Sequence, residues 1–184
     1  MAEFTRQPID PLLLERAANI RLLALDVDGV LTDGNLYYDQ AGNEMKAFST
    51  RDGFGIKALQ RFDIPVAIIT GRTSAIVQRR AEELGITLLY QGCINKLDAF
   101  NHLLQKTGLE EQQVCYAGDD WLDIPILERV GLSVTVADAD PVVKSRVHWV
   151  TENSGGKGAV REMCHLILAA RGLDKILLQD FLRP

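Results

Sequence analysis

The sequence predicts an α/β fold built on a doubly wound, mainly parallel sheet. Three observations predict it. Short apolar runs recur along the chain, among them Leu22–Leu25, Val66–Ile69 and Val114–Ala117. Segments whose apolar residues repeat at helical spacing separate them. Each run gives way at once to turn-forming or polar residues: Asp26-Val27-Asp28-Gly29, Thr70-Gly71-Arg72 and Gly118-Asp119-Asp120. Strands that alternate with helices lie parallel, and the helices cover both faces, so such strands are apolar throughout rather than every second residue.

The elements follow in order. Met1 to Ile9 has no periodic pattern and is expected to be a loose end. Asp10-Pro11 is a helix start, with Asp as cap and Pro in the first turn, and the helix runs to about Asn19. Leu22–Leu25 is the first buried strand. Leu36-Tyr37-Tyr38 and Met45-Lys46-Ala47-Phe48 flank Asp39-Gln40-Ala41-Gly42-Asn43, a hairpin signal. An isolated two-stranded hairpin is marginal in water, so this one is expected to pair with something, another subunit being the natural candidate. Phe54, Ile56, Ala58, Leu59 and Phe62 place a helix over 52–62. Val66 to Ile69 is the second strand. Ile76, Val77, Ala81 and Leu84 predict a helix over 73–84, stopped by Gly85. Thr87 to Tyr90 is a third strand. Asn95 caps a helix from Lys96 to Thr107, stopped by Gly108, and Val114–Ala117 is a fourth strand. A short helical stretch follows through Leu127. Leu132 to Val136 and His148 to Val150 are later strands, and Gly155-Gly156-Lys157-Gly158 opens a last helix, Ala159 to Arg171. The architecture is Rossmann-like, and no linker or repeat points to a second domain.

Size and composition bound the function. The chain has 184 residues, 47% hydrophobic and 24% charged, enough for one domain with a sizeable core. Its net charge of −5 gives no broad basic footprint for nucleic acid. Cys93, Cys115 and Cys164 are odd in number and lack Cys-x-x-Cys spacing, so each is expected as a buried thiol in a reducing compartment. No apolar run approaches a membrane span and the N-terminus lacks a secretory pattern, so a cytoplasmic protein is expected.

The strand ends carry the chemistry. Ligands of such sheets bind at the carboxyl ends of the strands. Asp26 and Asp28 stand there with one residue between them, and two carboxylates so close repel unless one is protonated or a cation joins them. A hard divalent ion with oxygen ligands is the simplest remedy, Mg²⁺ the common one. The second strand delivers Thr70, Lys96 opens the helix after the third, and the fourth delivers Asp119 and Asp120, with Asp123 one turn on. Carboxylates for a metal, a hydroxyl, an ammonium and a nucleophile suit phosphoryl transfer, in which positioning and charge neutralisation supply most of the catalysis.

These residues resemble the four motifs of the haloacid dehalogenase superfamily: Asp26-Val27-Asp28-Gly29-Val30-Leu31-Thr32-Asp33, then Thr70, Lys96 and Gly118-Asp119-Asp120 with Asp123. The chain is most similar to the 3-deoxy-D-manno-octulosonate 8-phosphate phosphatase branch, from about Ile20 to Arg171. Arg51-Asp52-Gly53-Phe54-Gly55-Ile56, Ile69-Thr70-Gly71-Arg72, Tyr90-Gln91-Gly92 and Gly155-Gly156-Lys157-Gly158-Ala159-Val160-Arg161-Glu162 carry that closer likeness. The resemblance implies an Mg²⁺-dependent phosphatase of a sugar acid phosphate in lipopolysaccharide precursor synthesis. It implies Asp26 as the nucleophile that becomes an aspartyl phosphate, and Asp28 as acid and then base. It implies Mg²⁺ on Asp26, the Asp28 backbone carbonyl and Asp119, with Asp120 and Asp123 supporting them, and Thr70 and Lys96 on the phosphoryl oxygens. Substrate contacts are implied for Asp28, Ser49, Thr50, Arg51, Asp52, Gly53, Lys57, Gly71, Arg72, Arg80 and Lys96. Lys57 stands where relatives are expected to have Arg, and an ammonium loses bidentate carboxylate geometry. Arg72, Ile76 and Arg80, four apart, are expected on one helix face.

The branch lacks a cap domain and works as homotetramers in which a neighbour closes the site. Only the hairpin, 36–48, stands between the first two motifs here. The expectation is that it builds the tetramer, and that Gly155–Gly158 or the tail after Arg171 helps close a neighbour's site. Ile176, Leu177, Phe181 and Leu182 of that tail are expected to pack on a neighbour. Related phosphatases of sialic-acid-type 9-phosphates share the scaffold. A receiver-type switch, a regulatory module of the same fold, and a P-loop at Gly155–Gly158 are the rival readings. His102, His148 and His165 are scattered and expected to be structural.

Overall fold

The structure, a computed structural model, describes residues 10–182. Its centre is a six-stranded, wholly parallel sheet. The strands are β1 (Leu22–Leu25), β4 (Val66–Ile69), β5 (Leu88–Tyr90), β6 (Val114–Ala117), β7 (Leu132–Thr135) and β8 (Trp149–Val150), in the spatial order β5-β4-β1-β6-β7-β8. The chain winds outward in both directions from β1, so the crevice where the order reverses opens at the carboxyl end of β1, between β4 and β6. All four residues of β1 are buried, because helices cover both faces. Alternate residues point to opposite faces: Leu23 and Leu25 join one core layer, Leu22 and Ala24 the other.

The first layer is built by α1 (Pro11–Asn19), α2 (Thr50–Gln60), α3 (Ala75–Leu84) and α7 (Ala159–Ala170). The second is built by α4 (Lys96–Thr107), α5 (Ile124–Leu127) and α6 (Pro141–Lys144), which contribute Phe100, Leu103, Ile126, Leu127 and Val143. The caps form as the sequence dictates. Asp10 accepts from Leu12 N at 2.9 Å, Asn95 accepts from Leu97 N at 3.1 Å, and Gly85 and Gly108 close α3 and α4 in the left-handed conformation.

Between β1 and α2 stands only a hairpin, β2 (Tyr37–Tyr38) paired with β3 (Glu44–Met45), separate from the main sheet. Its ladder is shorter than the 36–38 and 45–48 strands expected. Leu36, Tyr37, Tyr38 and Met45 are exposed in the single chain.

Four expectations change. Residues after Arg171 form an eighth helix, α8 (Leu173–Leu182). It folds on its own chain: Leu177 is buried, Arg61 Nη2 lies 2.6 Å from Asp180 Oδ2, and the Phe54 and Phe181 rings stand 5.5 Å apart. Ile176, Leu178, Phe181 and Leu182 stay exposed. Gly155–Gly158, expected as a glycine-rich entry to a helix, is packed closely into its own chain. Gly155 N donates to Asp138 Oδ1 at 3.0 Å, Gly156 N to Val30 O at 3.0 Å, and a Cβ on Gly155 would stand 1.8 Å from the Gly29 carbonyl. Cys115 and Cys164 are buried, but Cys93 is half-buried. α6, begun by Asp140-Pro141, lies in a stretch read as connection. The loose end expected at Met1–Ile9 lies outside the described residues. Among those described, no helix is long and apolar enough to cross a membrane.

Candidate active site

Three strand ends converge at the crevice. β1 presents Asp26, 6% exposed, and Asp26 N donates to Ala117 O of β6 at 2.9 Å, so the carboxylate follows the sheet register. The chain then turns sharply. Gly29 has φ +92°, and a Cβ there would stand 2.0 Å from Asp119 Oδ2, so only glycine lets the two loops close. Thr32, buried, braces the turn: its Oγ1 accepts from Gly29 N at 3.4 Å and Gly34 N at 3.3 Å and donates to Val27 O at 3.3 Å.

β6 leads into the second acidic loop. Asp123 is fully buried and is its hub. Its Oδ2 accepts from Asp119 N at 3.2 Å and Asp120 N at 3.3 Å, and its Oδ1 from Tyr116 Oη at 2.5 Å and Lys96 Nζ at 2.8 Å. A Cβ on Gly118 would stand 2.2 Å from Asp123 Cγ, so the residue before Asp119 must be glycine. Asp120 is exposed and caps the following turn through Trp121 N. The Lys96 ammonium spans the crevice, 2.9 Å from Asp26 Oδ2 and 2.8 Å from Asp123 Oδ1. Thr70, 2% exposed, ends β4, and its carbonyl accepts from Cys93 N at 3.0 Å.

The charge balance favours a cation. Asp26, Asp119 and Asp123 each bring an oxygen within 4.8 Å of the others. Burial, then the Asp123 charge, raises the Asp26 pKa to about 6 despite Lys96. Burial, then Asp26 and Asp123, raises Asp119 to about 7. Burial pushes Lys96 toward neutrality, but Asp26 and Asp123 outweigh it and hold it above the ordinary lysine value. One ammonium among three carboxylates leaves the cluster negative and Asp26 and Asp119 hard to ionise. Hard oxygen donors with surplus negative charge fit a divalent cation such as Mg²⁺.

Asp28 takes other partners than the acidic cluster. The backbone turns after Leu25, so the straight-strand relation between Asp26 and Asp28 does not hold. The Asp28 carboxylate pairs with Lys46 on one oxygen, and Arg72 Nε stands 3.8 Å from the other.

Ser49 caps α2, its Oγ accepting from Arg51 N at 3.2 Å and Asp52 N at 3.4 Å, with Thr50 exposed beside it. Asp52 is buried and accepts from Gly158 N at 3.3 Å and Arg161 N at 2.8 Å, tying α2 to the start of α7. Gly53 leaves room for Arg80, whose Nη2 a Cβ would meet at 2.5 Å; Arg80 also lies over the Phe48 ring at 5.7 Å. Gly71 follows Thr70 and leads into Arg72. Arg72 precedes α3, so it shares no helix face with Ile76 and Arg80. Lys57 is not brought here. It is exposed, and its Nζ is the nearest group to a Cβ built on Gly85, at 3.4 Å. Gly85, Pro65, Val66, Thr87 and Leu88 line a depression of about 430 Å³ at the amino ends of β4 and β5, the opposite side of the sheet. His148 and His102 take structural bonds, to Ser133 and Tyr90.

Comparison with known proteins accords with this geometry. Residues 88–163 match the haloacid dehalogenase-like hydrolase family model. The chain is 53% identical over 165 residues, 90% of its length and 88% of the relative's, to the 3-deoxy-D-manno-octulosonate 8-phosphate phosphatase KdsC of Escherichia coli K12. Among solved structures, that phosphatase from Yersinia pestis is 50% identical with a TM-score of 0.90, covering 91% of each chain. The enzyme from Moraxella catarrhalis, solved with magnesium, phosphate and KDO, is 41% identical with a TM-score of 0.90, covering 92% of this chain and 97% of that one. By identity held across nine-tenths of its length, the chain belongs to the 3-deoxy-D-manno-octulosonate 8-phosphate phosphatase family of the haloacid dehalogenase-like hydrolases.

Proposed function

We propose that the protein hydrolyses 3-deoxy-D-manno-octulosonate 8-phosphate to the free sugar acid and inorganic phosphate, a step toward a lipopolysaccharide precursor. The single observation that carries phosphoryl transfer is the Lys96 ammonium held between Asp26 and Asp123, with Asp119 beside them. The substrate follows from the relatives of that name.

Asp26 Oδ attacks phosphorus, and the bond from phosphorus to the sugar oxygen breaks. Asp28 gives its proton to the departing alkoxide. Water then attacks the phosphorus of the aspartyl phosphate, Asp28 takes its proton, and Asp26 is regenerated. Lys96 and Thr70 hold the phosphoryl oxygens, and Lys96 offsets charge on Asp26 and phosphate together. Mg²⁺, when bound, supplies the remaining charge neutralisation, and Asp26, the Asp28 backbone carbonyl and Asp119 would hold it. Asp123 lies within reach of the same ion, but its two oxygens already accept four hydrogen bonds. Its part is to aim Lys96 and the Asp119 loop, with Asp120 fixing the turn. Arg51, Arg72 and Arg80 are the cations for the sugar acid. Ser49, Thr50, Asp52, Gly53 and Gly71 shape the pocket, and Lys57 falls outside it.

The described residues serve as one catalytic domain, with the hairpin where a cap would be inserted. Its exposed hairpin apolar residues support assembly into a homotetramer through 36–48. The free cysteines suit a reducing, cytoplasmic setting.

The test is phosphate release, with Mg²⁺, across a panel of 2-keto-3-deoxy sugar acid phosphates. The octulosonate 8-phosphate is expected to give the highest kcat/KM. A sialic-acid-type 9-phosphate turned over faster would move the substrate, and no release from any member would overturn the reading.

A further inference from the structure

Lys46 of the hairpin meets Asp28 and Glu44 holds Lys46, and the mechanism above uses neither. Lys46 follows β3 directly. Its side chain is 1% exposed although the hairpin around it faces solvent. A shielded ammonium persists only where carboxylates face it, and two do. Lys46 Nζ pairs with Asp28 Oδ1 and stands 3.5 Å from Glu44 Oε1. Glu44 is held in turn: Arg72 Nη2 donates to Oε1 at 2.8 Å and Ser74 Oγ to Oε2 at 2.8 Å. The Gln91 side chain fixes Ser74 through its backbone N–H at 2.9 Å. Arg72 Nε closes the ring 3.8 Å from Asp28 Oδ2. Two carboxylates and two cations thus alternate, and the ring binds the hairpin, the β4–α3 turn and the β1 loop together.

We propose that Lys46 and Glu44 are positioning residues that set the direction of the Asp28 carboxyl group as it protonates the departing alkoxide. This rests on the phosphatase reading above. Asp28 sits on a loop, where its side chain could swing, and proton transfer is steep in geometry. Lys46 anchors one carboxyl oxygen, and the other, only loosely approached by Arg72 Nε at 3.8 Å, faces the leaving group. Glu44 fixes Lys46 and keeps Arg72 at a set distance. Among the described residues, Lys46 and Arg72 are the cations that pair with Asp28.

The leaving group separates positioning from mere structure. An alkyl phosphate expels an alkoxide that needs its proton, whereas p-nitrophenyl phosphate expels a stable phenolate that does not. The ratio kcat/KM reports only steps up to departure of that group, so the later work of Asp28 on water drops out. The substitution Lys46→Met keeps the bulk of the chain without its charge. It is expected to lower kcat/KM about 10- to 100-fold on the sugar acid phosphate and about threefold at most on p-nitrophenyl phosphate, a share of the usual general-acid contribution. Lys46→Arg should recover part of the loss. Glu44→Gln should show the same skew to a smaller degree, and reads the idea independently if Lys46→Met melts early. Equal losses on the two esters, no loss at all, or a raised KM with kcat intact would each overturn the proposal, the last by making Lys46 a substrate ligand. A parent protein that hydrolyses neither ester overturns the phosphatase reading itself; a parent active on both, with equal losses in the variants, overturns only the positioning role.

Discussion

Removing divalent metal should make the protein's stability fall as pH rises from about 4 to 7, and Asp26→Asn should remove part of that fall. Asp26 holds its proton up to about pH 6 in the folded chain, against 3.8 as its ordinary value. Within that window the native state binds more protons than the unfolded chain, so stability drops with rising pH. Lys96 works in the other direction of charge, but its raised pKa lies far above the window. A shift of about 2 units at 1.36 kcal/mol each sets a ceiling of about 3 kcal/mol for Asp26. Asp119, raised to about 7, adds to the fall in the same sense and is partly solvated. For a chain of this length 3 kcal/mol corresponds to roughly 6–12 °C in Tm. Asn imitates the protonated acid. The variant should therefore match the parent near pH 4 and melt several degrees above it at pH 8 in chelator. Saturating Mg²⁺ should raise the parent at pH 8 and leave it nearly unchanged at pH 4. Thermal melts at pH 4, 6 and 8, with EDTA or Mg²⁺, give the comparison. A parent whose Tm stays level or rises across the window in EDTA, or an Asp26→Asn protein with the same pH slope, would refute the reasoning.

Three shorter predictions follow. Asp123→Asn removes the charge that aims Lys96, and kcat should drop about 10- to 100-fold with folding preserved; activity within twofold of the parent would return Asp123 to a passive support. Leu177→Ala opens a gap beneath α8 and should cost about 2–3 kcal/mol in a denaturant titration, whereas an unchanged midpoint would show that α8 does not belong to its own chain's core. Light scattering at micromolar concentration should give the mass of four chains, and Tyr38→Lys should lower it; a parent of single-chain mass would assign the hairpin another purpose.

Much of this was legible in residues whose constraint is local. The bounds of β1, β4 and β6 coincide with the apolar runs, because a strand buried on both faces admits little else. Asn95 and Gly108 mark both ends of α4, because capping chemistry acts within a few residues. Asp26, Lys96 and Asp119 meet, with Thr70 at the end of the strand beside β1, because a parallel sheet delivers its strand ends to one edge. What escaped depends on distance in space. Helical spacing could place Lys57 on a face of α2 but not tell that it lies near the far end of the sheet. The Lys46–Asp28 pair spans a hairpin whose folding back no periodicity shows. Tyr116 looked like an ordinary strand residue, and only the turn that returns Asp123 beneath β6 gives its hydroxyl an acceptor. α8 follows Gly172 in the left-handed conformation with no capping side chain to announce it, so neither the helix nor the burial of Leu177 was legible.

The central claim is that phosphate passes through Asp26. The most direct test quenches the protein in acid during turnover of the octulosonate 8-phosphate with Mg²⁺ and maps the phosphorylated peptide by mass spectrometry. The phosphoryl group should lie on Asp26, vanish in Asp26→Asn, and accumulate when water attack is slowed. A phosphoryl group on another residue, or an Asp26→Asn protein that still releases phosphate at more than a few per cent of the parent rate, would contradict the account.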